Sequence, residues 1–278
     1  GESGVVNIEG NQQIVYDSAN SFSIFAHSDI NVGSTGSGSL HLTNRGSGNI
    51  NLVAGWDGGG SDLFTTPDPT VGNQSDTSTG VIGAEEILGG TYGTYGNEGD
   101  ININPNGVLQ VDVGSASGET NLFAQDLLVL TGNDQADHVH IGYQNSTDVV
   151  GETVSGDINV YTTGNAVLTA GSGSNSKYIQ FGHGGRHGNG TTTEDADLSG
   201  DVNLQIGGVL VGDAASANGW LKFGHGGREF DGNLSGDVTV RSALIQLSTG
   251  ESNDGYVQFG HGGLYVHGDF DGDIDIET

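Results

Sequence analysis

Phe181-Gly182-His183-Gly184-Gly185 returns as Phe223-Gly224-His225-Gly226-Gly227 and again as Phe259-Gly260-His261-Gly262-Gly263. An aromatic–aliphatic–polar triplet leads into each copy: Tyr178-Ile179-Gln180, Trp220-Leu221-Lys222 and Tyr256-Val257-Gln258. A worn copy precedes them at His138-Val139-His140-Ile141-Gly142-Tyr143, and the four stand 40, 42 and 36 residues apart. Near-identical pentapeptides at long, almost regular spacing mark a chain that repeats one structural unit.

A shorter motif, small or acidic–β-branched–polar–aliphatic, runs through the rest of the sequence. It reads Val5-Val6-Asn7-Ile8, Asp29-Ile30-Asn31-Val32, Asn49-Ile50-Asn51-Leu52 and Asp100-Ile101-Asn102-Ile103. It continues as Asp157-Ile158-Asn159-Val160, Asp201-Val202-Asn203-Leu204, Asp237-Val238-Thr239-Val240 and Asp273-Ile274-Asp275-Ile276. Apolar and polar residues alternate here with the period of a strand, which puts the aliphatics on one face. A third apolar run lies between the two motifs, as in Ala166-Val167-Leu168, Val209-Leu210-Val211 and Leu244-Ile245-Gln246-Leu247. One unit is thus three short strands separated by Gly/Ser/Asn/Asp turns, with no helical period.

Strands this short bury their apolar face only when successive coils stack. The sequence therefore predicts an all-β, right-handed parallel β-helix (β-solenoid), with columns of Ile/Val, Phe and Asn rising at ~4.8 Å per rung. A β-sandwich also uses short alternating strands between turns, but it does not predict the repeated pentapeptide. One elongated domain over residues 1–278 is the simplest organisation. Residues 1–56 run on a shorter beat, with Asp29 and Asn49 20 residues apart and Leu40-His41-Leu42 midway, which suits a coil of that length. Residues 57–98, with Pro67, Pro69 and Glu85-Glu86-Ile87-Leu88, break the pattern and read as a loop or hairpin excursion. Residues 99–278 carry the pentapeptide coils, and the 36-residue spacing fits either one large coil or two of half that length.

Composition narrows the partners. Glycine supplies 52 of 278 residues, cysteine and methionine none, and 6 Lys+Arg against 35 Asp+Glu leave a net charge of −29. Glycine lacks the every-third-residue period of collagen. Thiol chemistry and cysteine-based metal sites are excluded. Nucleic acid is excluded as a partner by charge, and no stretch is long and apolar enough for a membrane span. The chain opens at Gly1 without an initiator Met or a signal h-region, which reads as a processed chain or an excised piece.

The stretch Gly48-Asn49-Ile50-Asn51-Leu52-Val53-Ala54-Gly55-Trp56-Asp57-Gly58, the Gly-Asp-aliphatic-polar-aliphatic coils and the Phe-Gly-His-Gly-Gly units resemble the repeat regions of filamentous-haemagglutinin-type bacterial exoproteins. The resemblance spans the chain apart from residues 60–98. It implies a right-handed β-helix, secretion to the extracellular cell surface, and a role in adhesion or surface structure. The family's amino-terminal secretion domain is not in this sequence.

Several residues stand out as sites. His183, His225 and His261 repeat at one position, either as a metal column or pH switch or as caps on the glycine turns through backbone hydrogen bonds. Phe181, Phe223 and Phe259 are expected to stack as an internal ladder. Asp269, Asp271, Asp273 and Asp275 form an alternating acidic run that fits calcium loosely; the other reading is a solvated strand face. At the ends, Val5, Val6, Asn7 and Ile8 begin a strand, and Ile274 and Ile276 finish one, so both ends offer open edges for assembly. The expected partners are copies of the chain stacked end to end, or the rest of a longer adhesin, with surface glycans as ligands. No cofactor beyond calcium is called for. The expected function is therefore structural and adhesive, an adhesin stalk or a cell-surface filament, not an enzyme. The alternative is a carbohydrate-active β-helix enzyme, a polysaccharide lyase or hydrolase, although basic residues to hold a uronate are scarce.

Overall fold

The computed structural model describes residues 4–35, 38–56, 99–106, 109–131, 137–144, 153–171, 177–186, 197–214, 219–249 and 255–278. Among these residues every regular element is a strand, strand pairing is parallel, and no helix is long and apolar enough to cross a membrane.

Seven coils succeed one another. The first holds β1 (Val6–Ile8), β2 (Gln13–Tyr16) and β3 (Phe22–Phe25). The second holds β4 (Ile30–Val32), β5 (Gly38–Asn44) and β6 (Ile50–Val53). The third holds β7 (Ile101–Ile103), β8 (Leu109–Ser115) and β9 (Thr120–Ala124). The fourth holds β10 (Leu127–Leu130), β11 (His138–Ile141) and β12 (Ile158–Thr162). In the fifth, β13 (Ala166–Thr169) and β14 (Tyr178–Phe181) are followed by β15 (Gly184–Arg186). Strand β16 (Val202–Ala214) then ends the fifth coil and begins the sixth, which continues with β17 (Trp220–Phe223), β18 (Gly226–Asp231) and β19 (Leu234–Ser235). Strand β20 (Val238–Thr249) likewise passes into the seventh coil, with β21 (Tyr256–Phe259), β22 (Gly262–His267), β23 (Phe270–Asp271) and β24 (Ile274–Glu277).

Three columns of strands result. β1, β4, β7, β10 and β13 climb to the second halves of β16 and β20, and β3, β6, β9 and β12 climb to their first halves and then to β24. The two columns meet at a corner, where the register slips between Ile206 and Val209, so one sheet curls through both. The second sheet is β2-β5-β8-β11-β14-β17-β21. The pairing Tyr178↔Trp220↔Tyr256 shows that a unit of 42 or 36 residues is one coil, not two. The smaller coils step by 28 residues, from Gln13 to His41. The 20-residue beat between Asp29 and Asn49 is therefore not a coil. Ile30 pairs with Val6 and Ile101, whereas Ile50 pairs with Phe22 and Thr120, so one motif serves two columns of the same turn. The predicted 57–98 excursion lies outside the described residues; the ladder continues across it, with Ile30 paired to Ile101.

The core is a set of aliphatic columns. Leu52, Leu122, Val160, Leu204 and Val240 lie one above another on the third column, each almost fully buried. Burying such a side chain contributes ~1.5–3 kcal/mol, and the stack secures that for residues that no isolated coil could cover.

The larger coils spend their extra residues on a second layer. After Phe181 the chain reverses through Gly182 and Gly184, at φ 150° and 112°, and β15 runs beside β18 and β22 as a third sheet. Only glycine fits such a turn: a Cβ on Gly182 would strike the carbonyl oxygen of Gly224 in the next coil. Beneath this layer Ala116, Tyr143, Val154, Leu198, Phe230 and Leu234 form a smaller apolar cluster.

Candidate functional site

The polar residues that repeat are tied to backbone. His183 Nδ1 accepts the N–H of Tyr143 at 3.0 Å, His225 Nδ1 that of His183 at 2.9 Å, and His261 Nδ1 that of His225 at 3.1 Å. Each Nε2 donates to a glycine carbonyl of the preceding coil: Gly156 at 2.5 Å, Gly200 at 2.7 Å and Gly236 at 2.6 Å. Consecutive rings stack with centroids 4.9 Å apart. Burial favours the neutral ring, pushing His183 down to about 4 and His225 well below the usual imidazole value; His261, less enclosed, is lowered too. Both nitrogens are occupied, so the imidazoles act as turn caps and leave no lone pair for a metal. Phe181, Phe223 and Phe259 stack inside at 5.7 and 4.8 Å.

The short Asp-Ile-Asn-Val motif has an equally physical basis. Its asparagines form two outer ladders. Asn31 donates to Asn7 at 2.8 Å and Asn102 to Asn31 at 3.0 Å; Asn121 donates to Asn51, Asn159 to Asn121, and Asn203 to Asn159 at 2.9–3.1 Å. Its acids cap amides, since the N–H groups of Asp201, Asp237 and Asp273 each donate to the aspartate one coil earlier at 2.8–2.9 Å. Burial, with neighbouring carboxylates adding to it, raises Asp100, Glu119 and Asp157 above their ordinary values.

The C-terminal acids do not converge. The Asp269 amide caps onto Asn233 and the Asp273 amide onto Asp237, while Asp275 pairs with Arg241 at 3.3 Å. Asp271 lies in β23, and all four are exposed. Among the described residues no group of three or more His, Asp or Glu side chains is arranged to hold a metal ion. At the first coil, Val6, Asn7 and Ile8 form β1, preceded by a half-buried Val5. At the last, Ile274 and Ile276 sit in register with buried Val238 and Val240 yet remain 55% and 45% exposed.

One constellation was not singled out from the sequence. On the outer face of the second sheet, Gln13, His41, Asp112, His140, Gln180, Lys222 and Gln258 occupy one register column. In the larger coils the second layer covers this column, and its members reach the carbonyls of the glycine turns. His140 Nε2 donates to Gly182 at 2.7 Å, Gln180 to Gly226 at 2.8 Å, and Lys222 to the Gly262 carbonyl. Burial alone lowers the Lys222 ammonium to about 7. In the first two coils the column is open, with Gln13 exposed and His41 partly so. Asp112, 1% exposed, is ringed by His41 Nδ1 at 2.9 Å, His138 Nε2 at 3.2 Å and His140 Nδ1 at 3.6 Å. Burial opposes its charge, but the charge and hydrogen bond of His138, with the two other imidazoles, hold the carboxyl well below the usual carboxylate range. The signal available beforehand was a polar residue between two aliphatics, in Leu40-His41-Leu42 and Val111-Asp112-Val113. Nothing in one dimension says these two segments are adjacent.

A cavity of about 290 Å³ opens beside Asp112, between the open strands and the step where Tyr143 and Gln144 begin the second layer. No protein-family model, curated protein or solved structure matches this chain.

Proposed function

We propose that this chain is a right-handed β-helical rod of the filamentous-haemagglutinin kind, placed outside the cell, with a mechanical and adhesive role and no catalytic one. Crossovers between parallel strands are right-handed in the great majority of folds. Further coils, from a copy of the chain or from a longer adhesin, continue the stack, and surface glycans are the ligands. The acidic exterior keeps the rod soluble, and cations such as calcium screen it.

The observation that carries this reading is the last coil. Strand β24 stands in register above β20, yet its inward pair Ile274 and Ile276 and the neighbouring Phe270 are half-exposed, beside an open strand edge. Apolar residues on an unpaired edge invite another strand.

Negative-stain microscopy of the purified chain across concentrations tests it. The expected particles are stiff rods in which copies join end to end with an axial repeat of roughly 34 Å, seven rungs at ~4.8 Å. Compact globular particles at every concentration would sink the proposal. For calcium, the check is a melting shift on adding a chelator.

A further inference from the structure

We propose that the cavity beside Asp112 is a lateral binding site for the terminal, uncharged hexopyranose ring of a glycan. The inference gives the adhesive half of the proposed function a ligand and rests on that reading only for its biological setting.

The floor of the cavity is a buried carboxylate with unfilled hydrogen-bonding capacity. Asp112 Oδ2 lies 2.9 Å from His41 Nδ1 and has no second donor beside it among the described residues. A carboxylate oxygen accepts two hydrogen bonds, so this one keeps a lone pair for a ligand. It is satisfied by a ligand hydroxyl, which donates without bringing charge. The walls and mouth complement such a hydroxyl from its other side: Gln13, Arg45 and Gln144 bring N–H donors, and Thr43 a hydroxyl. A group that donates to the floor and accepts from the rim is a polyol. Val15, 42% exposed, adds apolar surface suited to the C–H face of a pyranose.

Other ligand classes fit less well. Arg45 lines the cavity, so a cation meets like charge there. An anion meets the Asp112 carboxylate on a chain of net charge −29. The volume, about 290 Å³, is close to the ~300 Å³ lower bound of small-molecule sites and admits one ring; the open side lets the rest of a glycan project outward. The position follows from the fold. The second layer starts at Tyr143, so the polar column is covered from Asp112 onward and opens at His41 and Gln13, and the cavity is the step between the two.

Saturation-transfer NMR on the full chain, with methyl glycosides of glucose, galactose, mannose and N-acetylglucosamine, reads the site directly. Saturable transfer to at least one glycoside is expected, and Arg45→Ala and Gln13→Ala should each weaken it by about tenfold, the worth of one charged or two neutral hydrogen bonds. Both side chains are exposed, so these variants should melt like the parent; Asp112→Asn should abolish transfer. Absence of transfer to all four sugars overturns the site. So does transfer that persists unchanged in Arg45→Ala and Gln13→Ala, or stronger transfer to methyl glucuronide than to methyl glucoside. Microscopy of the same samples separates the two proposals: rods that bind no sugar remove the site and keep the rod, and sugar-binding globules do the reverse.

Discussion

His225 accepts the backbone N–H of His183 through Nδ1 at 2.9 Å and donates Nε2–H to Gly200 at 2.7 Å, so one ring fastens two separate stretches of the coil before it. Truncation to His225→Ala strands a buried donor and a buried acceptor. The expected cost is about 3 kcal/mol, measured as a lowered urea midpoint. The neighbouring Phe181–Phe223–Phe259 stack does not touch these bonds, and Phe223→Leu should cost less than the histidine truncation.

Acid should weaken the fold through the same ladder. The unfolded chain takes up protons on its histidines near the ordinary value of 6.5, whereas His183 in the fold resists until about 4. Between those pH values the unfolded state binds more protons, so stability falls as pH falls, by on the order of 3 kcal/mol for His183 alone. His225 acts in the same direction. Asp100, Glu119 and Asp157 act oppositely, because their raised values let the folded chain accept protons first. Urea denaturation at pH 7.5, 6 and 5 should show the decline, with a shallower one in His183→Gln. Identical slopes in the two proteins contradict the assignment.

Lys222 interrupts a run of glutamines, lying between Gln180 and Gln258 in register. Its ammonium is lowered to about 7, while the unfolded chain keeps the proton up to 10.5, so folding at neutral pH carries a desolvation penalty that fades as pH rises. Lys222→Gln places an amide where its neighbours already satisfy the turn carbonyls. A gain of about 2 kcal/mol or more is expected at pH 7, shrinking towards pH 10, by thermal or urea melts. Lys222→Met, which leaves the Gly262 carbonyl without this donor, should not reproduce it.

Position within a ladder should set the cost of breaking it. Asn121 both donates to Asn51 and accepts from Asn159, and it is buried. Asn7, exposed in the first coil, only accepts from Asn31. Asn121→Ala should cost about 1–2 kcal/mol and Asn7→Ala less than ~0.5 kcal/mol; equal effects would deny the ladder its role.

The pentapeptide made the stacked coil legible because a repeated turn demands the same residues wherever it occurs. His183, His225 and His261 could be seen to repeat, but whether they met a metal or a carbonyl depended on what faced Nε2, namely Gly156, Gly200 and Gly236, 25–27 residues away in sequence. The Asp29–Asn49 beat misled for a similar reason: Ile30 and Ile50 obey the same strand rule on different columns. The surroundings of Asp112 were hidden most deeply. His41 comes from 71 residues before it and His140 from 28 after, and only the pairing of β5, β8 and β11 joins them.

The asparagine ladders and the aspartate caps share one sense: in each, the later coil gives the hydrogen and the earlier coil receives it. A section through the stack at any level would therefore expose two unlike faces along these columns, one short of hydrogens and one short of lone pairs. Matching sections of two molecules brought together face to face would set acceptor against acceptor. The molecule is in this respect an arrow, and anything that extends it must point the same way.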